Sequence, residues 1–249
     1  MTGLLASASS VSDASAIRSR GEQVSLAAQD VHLWLCLRER VASSDDFKRR
    51  LLSRYAPVAP GDWEFTVNDQ GKPALAGTEH ALDFNLSHSG DWLACAVTAG
   101  SAVGVDLEYR QPKRVTMKLA RRFFHPQEVA TLQDCSEVMQ QDRFYDYWTL
   151  KEAAVKARGL ALAPGLQTRS FELTFPGGAE SGSGHIRATT KDAPDNAHYW
   201  LLDPLIDYRV AVCCLPAAPL PPQLRVFELC AEDGFIELGV PLRAISAVD

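Results

Sequence analysis

FYDYWTLKEAAVKARG, Phe144 to Gly159, is the stretch on which the reading of this chain turns. It holds no Gly or Pro before its last residue and is rich in Ala, Leu, Lys and Glu, so it predicts a helix. Gly159 stands where a helix C-terminus is capped. Phe144, Tyr147, Trp148, Ala154 and Val155 recur at helical steps and form one apolar stripe. Glu152 and Lys156 are four apart and lie one above the other on a single face. Alone, such a pair is a surface ion pair contributing about 0.3–0.5 kcal/mol. It gains meaning from a second acidic stretch upstream.

That stretch is Val103-Gly104-Val105-Asp106-Leu107-Glu108. Its alternation predicts a half-buried strand. Side chains on a strand repeat every two residues, so Asp106 and Glu108 share a side. Two adjacent carboxylates repel each other and call for water, a proton or a cation between them. The bland alternative is a strand end with two solvated acids.

The chain has 249 residues, of which 46% are hydrophobic and 22% charged, enough for a sizeable core in one domain or two fused halves. A net charge of -6 argues against the broad basic footprint of a nucleic-acid binder. Anionic substrates must then be met by local basic groups. Six cysteines are scattered without CxxC spacing, mostly in apolar runs. They read as buried free thiols of a reducing, cytoplasmic compartment. No apolar run approaches the ~20 residues of a membrane span.

Strand patterns are read at 31–37, 63–67, 82–86, 92–98, 103–108, 171–175, 199–202 and 208–214. Helical patterns follow 47–55, 117–124 and 127–133. Ser87 to Asp91 reads as a tight turn. Strands clustered with helices, without strict alternation, predict an α+β fold.

With Gly71-Lys72-Pro73 and Asn85-Leu86-Ser87-His88-Ser89, the order becomes GKP, FNLSHS, GVDLE and WTLKEAAVKARG. From about Trp63 to Leu215 the chain resembles the 4'-phosphopantetheinyl transferases of the larger monomeric type. The resemblance implies two similar α+β halves related by a pseudo-twofold, with the active site between them. The expected layout is a disordered leader over 1–29, an N-terminal half over 30–100, a C-terminal half with the metal site over 101–215, and a Pro-rich linker and tail over 216–249.

The implied reaction moves the phosphopantetheine arm of coenzyme A to a serine of an acyl or peptidyl carrier protein, leaving 3',5'-ADP. Positioning and charge neutralisation supply most of such catalysis. In that scheme Asp106, Glu108 and Glu152 hold Mg²⁺ (or Mn²⁺), and Glu152 is also the base. Lys156 neutralises the leaving phosphate. Lys151, about 100° round the helix, suits another phosphate or the carrier. Ser87 and His88 donate to phosphate oxygens, and Lys72 with Pro73 meets the nucleotide. Family members grip the 3'-phosphate from a longer segment than the run from Cys36 to Leu51 here. Arg40 and Arg49 are the nearest stand-ins. Lys113, Arg114, Lys118, Arg121 and Arg122, beside Val115, Met117, Leu119 and Phe123, form the expected carrier-docking cluster. The competing readings are a metal-dependent phosphoesterase or nuclease, a catalytically impaired carrier-binding homologue, and a merely solvated acidic face.

Overall fold

Val-, Leu- and Ala-rich runs that cannot stay in water as single strands are gathered into two sheets in the computed structural model. It describes residues 22–77, 79–111, 116–176, 184–189, 196–216, 221–231 and 234–246. The first part of the chain runs β1 (Asp30–Leu37), α1 (Ser44–Leu52), β2 (Phe65–Val67), β3 (Pro73–Leu75), β4 (Leu82–Ser89), β5 (Trp92–Ala99) and β6 (Ala102–Tyr109). Four helices follow: α2 (Thr116–Phe123), α3 (Pro126–Gln133), α4 (Glu137–Ala157) and α5 (Leu162–Thr168). The chain closes with β7 (Phe171–Thr174), β8 (Gly184–Ala188), β9 (His198–Leu202), β10 (Tyr208–Leu215), β11 (Gln223–Leu229), β12 (Phe235–Leu238) and β13 (Leu242–Ser246).

One sheet has the order β12-β11-β1-β5-β4 and the other β6-β10-β9-β13-β8-β7, with β2 and β3 as a separate ribbon. Alternation in β1 explains the layering. Trp34 and Cys36 pack with Phe47, Leu51 and Leu52 of α1. Val31, Leu33 and Leu35 meet Val103, Val105, Leu107, Val210 and Val212 of the second sheet. The other face of that sheet, through Leu201, Ala211 and Cys213, lies under Phe144, Leu150, Ala153 and Val155 of α4. The layers are therefore helix, sheet, sheet, helix, and the fold is α+β. Each fully buried Leu, Val or Phe contributes roughly 1.5–3 kcal/mol.

The α4 helix ends as its sequence predicts. Gly159 has φ 61°, its amide bonds the Lys156 carbonyl, and the Leu160 amide bonds that of Val155. Its burial is wider than one stripe, because Asp146, Thr149 and Lys151 are buried as well. Sheet presses on one side of this helix and α2, α3 and α5 on the other.

The segment expected as linker and tail, 216–249, contributes to both sheets. β11 pairs in parallel with β1, and β13 pairs with β9 and β8. Such long-range partners leave no local trace in the sequence. Most of the expected leader, residues 1–21, lies outside the described residues. Val24 is buried, and its amide bonds the Arg54 carbonyl.

Candidate active site

The α4 helix lies directly against β6 because Gly104 has no side chain. A Cβ there would collide with the Ala153 carbonyl oxygen and the Ala157 amide. Two residues further along the same face comes Asp106, which is 3% exposed. The Lys156 ammonium lies 2.6 Å from Asp106 Oδ1 and 3.3 Å from Glu152 Oε2. Burial raises the Glu152 carboxyl, and the Asp106 and Glu108 charges add to it. Lys156 opposes them, and the net is a value pushed up to about 8. Burial lowers the Lys156 ammonium, but Asp106 and Glu152 outweigh it and hold it above its ordinary value.

Two acids, Asp106 and Glu152, thus share one ammonium, and the Glu108 charge adds to the field at Glu152. Asp106 Oδ2 is buried without a hydrogen-bond partner. Among the described residues no three metal-type donors converge on one point, and the lysine bridges Asp106 and Glu152. Hard oxygen donors, surplus negative charge and an unpartnered buried oxygen fit a divalent cation.

Ser87, expected in a turn with His88, lies on β4, which pairs with β5 as far as Ser89 opposite Trp92. The turn is Gly90-Asp91 alone, with Gly90 at φ 54°. Alternation then separates the two residues. His88 is exposed, while Ser87 is buried and points at β6. The Ser87 hydroxyl donates to Asp106 Oδ1 at 3.0 Å and accepts from the Leu107 amide and from Lys156. Its one hydrogen is directed at the acid in this arrangement.

Lys72 sits in the turn before β3, where Asn68 Oδ1 accepts its amide at 2.8 Å. Its ammonium reaches Asp83 at 3.3 Å and the carbonyls of Val103 and Ala157. It therefore ties the ribbon to the ends of β6 and α4. Pro73 opens β3 opposite Val67.

Lys151 is turned away from the acids. Fully buried, it pairs with Glu128 at 2.7 Å and bonds the carbonyls of Leu166 and Arg169. The expectation that it meets phosphate or carrier is corrected: a helix position shows which way a lysine points, but not that α3 supplies a buried carboxylate. Arg40 is spent on Glu228 at 2.8 Å and the Leu229 carbonyl. Arg49 is spent on Asp45 at 2.6 Å and the carbonyls of Pro60 and Trp63. Both guanidinium groups are held beside the first sheet.

Lys118, Arg121 and Arg122 are exposed on α2, beside half-buried Met117 and Leu119. Lys113, Arg114 and Val115 lie outside the described residues. Toward the start of α4, Asp142 pairs with Arg110 at 2.8 Å and Arg209 at 2.5 Å. Asp146 pairs with Arg209 at 3.1 Å and Arg243 at 3.0 Å. Ser89, which lies in the FNLSHS motif but is given no role by it, and Glu128 are the polar residues whose part the motifs do not announce. Ser89 could have been found from the period-two run Asp83, Asn85, Ser87, Ser89.

The family model of the 4'-phosphopantetheinyl transferase superfamily matches residues 102–213, the span from β6 to β10 that carries these acids. A 4'-phosphopantetheinyl transferase of Bacillus subtilis is 32% identical over 174 residues, covering 70% of this chain and 73% of the relative. The chain belongs to this superfamily. The 4'-phosphopantetheinyl transferase HetI of Nostoc sp. is 39% identical over 128 residues, 51% of this chain and 54% of that protein. The putative 4'-phosphopantetheinyl transferase slr0495 of Synechocystis sp. is 40% identical over 119 residues, 47% and 48% of the two. The matched region thus spans about half the length of the Nostoc and Synechocystis relatives. No described helix is long and apolar enough to cross a membrane.

Proposed function

We propose that this chain transfers the 4'-phosphopantetheine arm of coenzyme A to a serine hydroxyl of an acyl or peptidyl carrier protein, releasing 3',5'-ADP. The observation that carries this reading is the surplus of carboxylate at the junction of α4 and β6, with Asp106 Oδ2 buried and unpartnered. Asp106, Glu108 and Glu152 would hold Mg²⁺, which when bound supplies charge neutralisation at the pyrophosphate oxygens. Glu152 takes the proton of the attacking serine. Lys156 moves its ammonium from the acids toward the phosphate that leaves with the nucleotide. The carrier oxygen bonds the phosphorus bearing the pantetheine arm as the bond to 3',5'-ADP breaks. His88, exposed beside the hairpin turn, and Lys72 with Pro73 are the proposed coenzyme A contacts from the first half. Lys118, Arg121 and Arg122 are the proposed carrier face. We propose also that the halves divide near Gly100 and are related by a pseudo-twofold, each a sheet with its main helix outside.

Mass spectrometry of an apo carrier protein incubated with this chain, coenzyme A and Mg²⁺ tests the proposal. The expected result is a gain of one phosphopantetheine, absent with Asp106→Asn. A carrier that stays unmodified overturns it. The engagement of Arg40 and Arg49 favours one second reading, a carrier-binding homologue with impaired nucleotide grip. Calorimetry with coenzyme A separates the two, since that homologue binds it weakly.

A further inference from the structure

β6 is the edge strand of its sheet on the side that meets β4, so every second backbone amide on that edge needs a partner other than a strand. β4 supplies side chains. Asp83 Oδ1 accepts from the Val103 amide at 3.4 Å, and Asn85 Oδ1 from Val105 at 2.9 Å. Ser87 Oγ accepts from Leu107 at 3.1 Å, and Ser89 Oγ from Tyr109 at 3.0 Å. Each rung joins a residue to the one twenty positions later, and together they stitch the first sheet to the second.

The last two rungs differ in chemistry. A carboxylate or an amide oxygen only accepts, whereas a hydroxyl accepts and donates at once. Ser87 passes its hydrogen to Asp106 Oδ1 at 3.0 Å, and Ser89 passes its own to Glu108 Oε2 at 3.3 Å. Each serine therefore fixes one oxygen of an acid whose backbone neighbour it also holds. At Asp106 the other oxygen, Oδ2, is left buried and unpartnered.

We infer that Ser87 and Ser89 are positioning residues, through which β4 of the first sheet orients the Asp106 and Glu108 carboxylates of the second for a divalent cation. This rests on the cation reading of the proposed function. Hydroxyls that orient metal-binding carboxylates typically change metal affinity by about 10–100-fold when removed. Asn85 is the internal control. It makes the same kind of rung and donates to no acid in that ladder, so Asn85→Ala loses the stitch and keeps the orientation.

The test is Mn²⁺ binding to the full chain, followed by electron paramagnetic resonance with and without coenzyme A. Ser87→Ala and Ser89→Ala are expected to weaken Mn²⁺ binding about tenfold. Ser89→Thr, which keeps the hydroxyl, stays within about twofold of the parent, on the same reasoning. Asn85→Ala lowers the thermal midpoint and leaves Mn²⁺ affinity unchanged. If Ser87→Ala fails to fold, the half-buried Ser89 pair of variants carries the test. Parent-like Mn²⁺ binding in Ser89→Ala, with only the midpoint lowered, overturns the inference and leaves the cation reading standing. A parent chain that binds no Mn²⁺ under either condition overturns both.

Discussion

Two lysines on α4, the buried Lys151 and the half-buried Lys156, each face carboxylates, and their surroundings differ in one respect. The Lys151 site is closed. Its ammonium has three oxygen partners, and Glu128 accepts from Lys151, from the His125 amide at 2.9 Å and from the Phe171 amide at 2.9 Å. Burial pushes Glu128 up and Lys151 down, and each is opposed by the other. One positive charge meets one negative charge, and nothing more is needed. The Lys156 site is open. Asp106 and Glu152 share its single ammonium, one Asp106 oxygen has no partner, and Glu152 is pushed up to about 8. Hydrogen-bond saturation, more than the presence of charge, separates a structural ion pair from a place that awaits a ligand.

Glu152→Gln breaks the open site and is expected to have the largest effect. Transfer to a carrier should fall about 10³-fold, because the proton acceptor is gone. The thermal midpoint should hold. Turnover near the parent rate with Mg²⁺ present would make Glu152 merely structural.

Lys151→Met breaks the closed site. Removing one partner of a buried pair strands the other, at about 3–5 kcal/mol. Urea unfolding should show that loss, and Glu128→Gln in the same chain should recover part of it. The folded fraction should keep its KM for coenzyme A. A raised KM with unchanged stability would return Lys151 to the nucleotide.

The pairs at the start of α4 sharpen the contrast through pH. Burial alone would raise Asp142, but Arg209 and Arg243, with Arg110, outweigh it and hold it below the ordinary range. Its stabilisation is complete above the unfolded carboxylate value, about 3.9, and is lost as the pH falls through the lower folded value. Asp142→Asn should therefore be less stable than the parent at neutral pH, and its stability should fall less steeply below about pH 4. Parallel acid-unfolding curves would show that Asp142 is not held in this way.

The smallest effect is expected on α2, where Lys118, Arg121 and Arg122 are exposed. Exposed charge steers association and is screened by salt. Arg121→Ala with Arg122→Ala should raise the KM for an acidic carrier about fivefold at low ionic strength, and less at high. The KM for coenzyme A should stay level. A carrier KM that ignores both changes at low salt would move the docking face elsewhere.

What the sequence could show was what is local or periodic. The helix with its Gly159 cap and the alternation from Val103 to Glu108 were both legible, because each repeats at its element's own spacing. Ser87 and His88 misled because Ser-His-Ser-Gly-Asp is made of turn residues, and strand pairing outweighed that preference through Ser89. The partner of Lys151 was hidden because Glu128 belongs to another helix. The rungs from β4 to β6 were hidden because their partners are backbone amides, which no residue type announces.

The parallel pairing of β1 with β11 has a consequence for synthesis. The register sets Asp30 opposite Gln223 and Leu35 opposite Glu228, so the second neighbour of β1 is made long after it. A ribosome adding about 5–20 residues per second takes on the order of 10–40 s to cover that distance. Meanwhile β5 can pair with one edge of β1, while the other edge stays open on a strand built to be buried on both faces. An open apolar edge recruits other strands. The nascent chain is thus open to pairing with other strands at that edge until β11 leaves the exit tunnel.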